Sequence, residues 1–159
     1  MNPSVPVPVE QLRASLIELL GETIEKSGRY YLDKDTSLFE TLDAISAETA
    51  SKAVSGTRST IAAHVEHVRF YLDVNLRSIQ GEAVGEIDWK ESWRHQNVTS
   101  EEWEALKGRL RQAYTSVLAT VNGGAAWDRP EDLSDTLAIL AHTSYHLGAI
   151  RQALGAVKG

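Results

Sequence analysis

Ala141–Ile150 reads AHTSYHLGAI and sits inside the long apolar run near the C-terminus. His142 and His146 stand four residues apart in it, and on a helix such residues lie one above the other on the same face. Two imidazoles so placed can close on one metal ion. They can equally be core side chains that hydrogen-bond to a neighbouring helix, so a third ligand elsewhere has to decide. Around them, Leu133, Leu137, Leu140, Ser144, Leu147 and Leu154 form one face, and Ile139, His142, His146, Ala149 and Ile150 form another. A helix apolar on two faces is expected to be buried on both, between neighbours. Asp128, with Pro130 in the following turn, is expected to open it.

Three further helical periods precede this one. Thr99-x-x-Glu102 has the form of a capping box, and Trp103, Leu106, Leu110, Tyr114, Val117 and Val121 follow at helical spacing before Asn122-Gly123-Gly124 breaks the pattern. From about Ser59 to Gln80, Ile61, Val65, Val68, Leu72, Leu76 and Ile79 make a core stripe, with His64 and His67 on one flank and Gly81 and Gly85 beyond its end. Between these two helices, Glu86–Val98 carries Trp89 and Trp93, four residues apart, and is expected to pack across the bundle as a short helical or irregular piece. The first helix follows an extended lead-in over residues 1–8 ending in Val5-Pro6-Val7-Pro8, runs through Leu12, Leu16, Leu19, Leu20, Thr23 and Ile24, and is expected to end at Ser27-Gly28 with Gly28 as C′. The connection from there to Thr57 contains Ser37-x-x-Glu40, a capping box before Leu38, Phe39, Leu42 and Ile45; Gly56 closes it.

Four long helices, no credible strand and no repeat of solenoid period predict an all-α four-helix bundle, with a long crossover connection and short extra helices. At 159 residues the chain is expected to form a single domain. A hydrophobic share of 42% with 24% charged residues fits a folded globule, and the net charge of −6 argues against nucleic acid, which needs a concentrated basic face. No apolar run reaches the length of a bilayer span, and the first residues lack the basic and apolar regions of a signal peptide. There is no cysteine, hence neither a disulfide nor a thiolate ligand, and a cytoplasmic location is expected. No Ser-His-Asp pattern, phosphate loop or paired-carboxylate motif can be read.

Thr60–Val68, TIAAHVEHV, taken with His142–Leu154, HTSYHLGAIRQAL, resembles the DinB/YfiT-like superfamily of bacterial metal-binding four-helix bundles. Thr60-Ile61 matches the start of that family's second long helix, and His67 stands seven residues on, where the family has a histidine. His142, His146 and Gly148 match its last-helix motif; Ala149 departs from it, since many relatives carry Gln there. The resemblance implies a divalent metal, Zn, Ni, Co or Fe, held by His67, His142 and His146, with His64 as the alternate from the second helix. It also implies a small-molecule substrate and activation of a low-molecular-weight thiol (S-transferase-like) or of water (hydrolase-like). The alternative is a non-catalytic stress-related or binding bundle whose histidines are structural or vestigial. His95 is expected at the surface, Glu66 and Asp135 as solvated charges, and the four tryptophans as packing anchors. Phe70, opposite the core stripe of its helix, is the reason to expect a homodimer.

Overall fold

In the computed structural model, residues 6–53, 59–123, 127 and 129–158 are described. Six helices follow in order: α1 (Val9–Ile24), α2 (Leu38–Asp43), α3 (Ala47–Ala50), α4 (Ile61–Ile79), α5 (Ser100–Asn122) and α6 (Pro130–Lys158). Among the described residues there is no strand.

Side-chain caps set most of the starts. The hydroxyls of Ser37, Ser46, Thr60 and Thr99 each accept a backbone N–H of the first turn, and Ser37/Glu40 and Thr99/Glu102 close full capping boxes. Pro8 opens α1 through its carbonyl, which accepts from Gln11 and Leu12. The expected caps Gly56, Gly124 and Asp128 lie outside the described residues. One boundary differs from expectation. The first helix stops at Ile24, and Gly28 is not its C′ residue but a turn residue further on, at φ +100°. The short α3 carries no long apolar period and was not foreseen.

α1 packs beside α5 and α6, and α4 packs beside the same two helices. Therefore α1 and α4 stand across the bundle from one another, and the chain between them makes the crossover. Leu20, Ile24, Ile61, Val65, Leu72, Leu106, Leu110, Ile139 and Ile150 fill the centre with almost no exposure. Truncating one such leucine to alanine costs about 2–5 kcal/mol through lost transfer energy and the cavity left behind. Trp103 is buried with its indole N–H donating to the Ile45 carbonyl at 3.2 Å, so α5 pins the end of the crossover. Both expected faces of α6 are largely covered: Ile139, Leu147 and Ile150 are buried, Leu133, Leu140, Ala149 and Leu154 half-buried, and Leu137 is exposed. Phe70 is half-buried and meets Trp89 edge-on, with ring centroids 5.8 Å apart, so the side chain cited for a dimer has a partner within the chain. No helix among the described residues is long and apolar enough to cross a membrane.

Candidate metal centre

α4 and α6 run side by side, and their facing turns bring four imidazoles together. His64 and His67 come from the first half of α4; His142 and His146 come from the middle of α6. His67 and His146 are buried, His64 and His142 half-buried. One nitrogen each from His67, His142 and His146 lies within 4.8 Å of the others. His64 is not one of that set; it meets His146, Nδ1 to Nδ1, at 3.0 Å.

The hydrogen bonds fix one tautomer. The Ser92 hydroxyl donates to the Trp89 carbonyl at 2.9 Å, so towards His67 it has only a lone pair to offer. His67 Nδ1, 2.8 Å from Ser92 Oγ, therefore carries the ring proton and donates it. His67 Nε2 is left as a bare lone pair, facing His142 Nε2 at 3.2 Å. A tetrahedral ion with metal–nitrogen bonds of about 2.0–2.1 Å places its ligand nitrogens about 3.3 Å apart. The His67–His142 pair already has that spacing. Among the described residues, His142 Nδ1 is buried without a partner, as is the Thr143 hydroxyl. Ligation through Nε2 leaves that Nδ1 unchanged, so the spacing and neutrality of the facing nitrogens are what fit an ion.

Burial depresses the basicity of all four rings. Desolvation pushes His142 down to about 4, aided by the neighbouring His67, and pushes His146 down to about 3, aided by His142, His67 and His64. His64 is lowered by burial, and His67 by burial and then by His64. All four are neutral near pH 7, which is the form that binds a metal. The donor set fits a divalent ion.

Aromatic rings hold the imidazoles in place. Tyr71 lies flat on His142, centroids 3.6 Å apart with an interplanar angle of 8°; Trp93 stacks on His67 at 4.3 Å and meets His64 edge-on at 5.1 Å. Sequence reasoning took Trp93 only as a packing anchor and missed Tyr71 and Ser92 altogether. The spacing carried part of the signal: Tyr71 is four residues after His67 and so shares its face. Ser92 comes from the 3₁₀ turn Glu91–Trp93 between α4 and α5, and no motif announces it. The remaining expectations fall outside the cluster. His95 is exposed. Glu66 binds Arg69, and Asp135 accepts from Ser78 Oγ at 2.8 Å. A Cβ on Gly148 would meet nothing within 4 Å, so packing gives no reason for glycine there.

Beside the cluster opens a cavity of about 740 Å³, lined by His64, Trp93, Tyr145, His146, Ala149 and Ala153 among others. Residues 32–150 match the DinB superfamily, about three quarters of the chain. The protein belongs to that superfamily, with the all-α bundle and the histidine cluster expected of it. No curated protein and no solved structure is significantly similar to the chain.

Proposed function

We propose that this chain is a metal-dependent enzyme for a small molecule, in which His67, His142 and His146 hold one divalent ion and His64 lies outside the ligand set. The observation that carries this reading is the convergence of three uncharged imidazoles from two helices, next to a cavity. Nitrogen-only ligation suits Zn, Ni, Co or Fe, and availability selects among them. Held by three neutral ligands, a divalent ion would keep its full charge and would supply Lewis acidity that eases ionisation of a thiol or of water.

The chain's own groups do the positioning. Ser92 fixes the His67 proton on Nδ1 and so turns Nε2 inward. Tyr71 and Trp93 keep the rings of His142 and His67 from rotating and keep water off those faces. His64 holds His146 through its Nδ1. A thiol is favoured over water because its free pKa is about 8.5 against about 15.7, so less assistance ionises it. With no cysteine in the chain, that thiol arrives as a low-molecular-weight co-substrate. It gives up its proton, its sulfur forms the new bond to an electrophilic carbon, and the group displaced leaves with the bonding pair.

Cobalt substitution tests the assignment. A sulfur-to-metal charge-transfer band on adding a simple thiol, with turnover of an electrophile, is the expected result. A spectrum unmoved by thiols together with ester or amide hydrolysis would shift the reading to a hydrolase. Metal present with neither response would leave a non-catalytic binding bundle.

A further inference from the structure

The cavity beside the histidines differs in chemistry from the histidines themselves. Ala149, Ala153 and Ala156 on successive turns of α6 supply little side chain, and that is what leaves the space open. Rings form the rest of the wall: Trp93, Tyr145, His64 and His146. Ser59 and Gln152 complete the lining, and no Lys, Arg, Asp or Glu is among these residues. The volume of about 740 Å³ lies within the range of small-molecule sites. Tyr145 is 72% exposed yet sits edge-on to His146, centroids 5.0 Å apart, so it forms a wall at the solvent side of the cavity. The Gln152 amide is exposed and has no hydrogen-bond partner among the described residues.

We infer that this cavity binds the second reactant, and that it selects a flat, neutral, largely aromatic molecule with one hydrogen-bonding group and rejects anions of the same shape. Aromatic walls favour a flat apolar ligand through stacking and edge contacts beyond area burial alone. An anionic group would lose its hydration here and meet no cationic side chain among the described lining residues. The Gln152 amide offers the polar contact that sets the ligand's orientation. This inference takes the histidine centre as the reacting group, but the binding it predicts comes from the cavity and is measured independently of any metal.

A matched pair of probes tests it on the full chain: methyl 2-naphthyl sulfone, which is neutral, and 2-naphthalenesulfonate, its anionic near-isostere and a poor metal ligand. Ligand-observed NMR is expected to show the sulfone binding at least about tenfold more tightly, since the anion is desolvated without a partner. Ala149→Phe fills the cavity and is expected to weaken the sulfone by about tenfold or more while metal content stays at the wild-type level. Ala156→Phe, at an exposed position of α6, supplies the same test should Ala149→Phe fold poorly. His142 does not line the cavity, so His142→Ala is expected to keep sulfone binding even as it loses metal. Equal or tighter binding of the sulfonate, undiminished sulfone binding in both phenylalanine variants, or loss of sulfone binding in His142→Ala would each overturn the inference. Only loss of metal dependence at the histidines, read in parallel by elemental analysis, bears on the proposed function.

Discussion

Glu22 of α1 and the four buried or half-buried histidines of α4 and α6 are polar groups within the same bundle, and their surroundings treat them differently. The Glu22 carboxylate, near the end of α1, accepts the backbone N–H groups of Arg29, Tyr30, Tyr31 and Leu32 at 2.7–3.3 Å. Burial pushes this carboxyl up, and those four donors outweigh it, so it titrates below its ordinary range. Glu40 repeats the pattern one turn into α2, taking the Ser27 hydroxyl at 2.6 Å and the Ser27 and Ser37 N–H groups at 3.1 Å. Around α4 and α6 the accounting does not close. Among the described residues His142 Nδ1 has no partner, and the lone pair on His67 Nε2 faces another imidazole rather than a dedicated donor. A buried polar group with every bond made holds a fold together. A cluster with groups left over does less for the fold and is where the proposed ion would sit.

The contrast is easiest to break at Glu22. Replacing it with alanine removes the acceptor of four buried-side N–H groups, and its Tm is expected to fall further than that of any site-histidine variant, with metal content unchanged. A thermal scan that puts Glu22→Ala level with wild type would remove the structural half of the comparison. At the other cluster, Ser92→Ala takes away the acceptor that sets the His67 tautomer. Metal affinity should drop about 10–100-fold, by competition with a chelator, while the fold stays intact. Unchanged affinity would mean that His67 needs no help in orienting.

His142→Leu sharpens the difference in the opposite direction. In metal-free protein it replaces an orphaned polar ring with an apolar side chain still able to pack on Tyr71. Stability to urea should rise by about 1 kcal/mol, whereas metal binding is lost. A fall in stability would show that the cluster is structurally satisfied without an ion.

Acid separates the two regions on one axis. Folded His142 and His146 titrate near 4 and 3 against 6.5 unfolded, so as pH falls the unfolded chain takes up protons first and stability is lost from about pH 6.5 downwards. Burial pushes Glu40 up, but the Ser27 and Ser37 hydroxyls and N–H groups hold it down to about 2 against 4.5 unfolded. Its contribution is therefore complete above pH 4.5 and disappears between there and about 2. Urea midpoints of metal-free protein should show the upper step shrinking in His142→Leu and the lower one in Glu40→Gln. A wild-type profile flat from pH 6.5 to 5 would contradict the first assignment.

How much of this was legible follows the same division. Hydrophobic period and capping boxes are local, so Ser37/Glu40 and Thr99/Glu102 marked their helices directly, and the crossover followed from the length of the connection after α1. The His142–His146 pair was legible from its spacing of one helical turn, and His67 only through the family resemblance, with His64 left as its alternate. Ser92, Tyr71 and the Glu22 nest were not, or only in part. Each depends on where a loop or a second helix returns in space, and no local pattern encodes that. Leu137 shows the converse error: it belongs to an apolar face of α6 expected inside, yet it is exposed.

Elemental analysis of untagged protein tests the central claim most directly, comparing wild type with His64→Ala, His67→Ala, His142→Ala and His146→Ala. About one divalent ion per chain is expected in wild type and in His64→Ala, with near-complete loss in the other three. Metal at the wild-type level in His146→Ala would contradict the account, and retention in His67→Ala with loss in His64→Ala would move the α4 ligand one turn back.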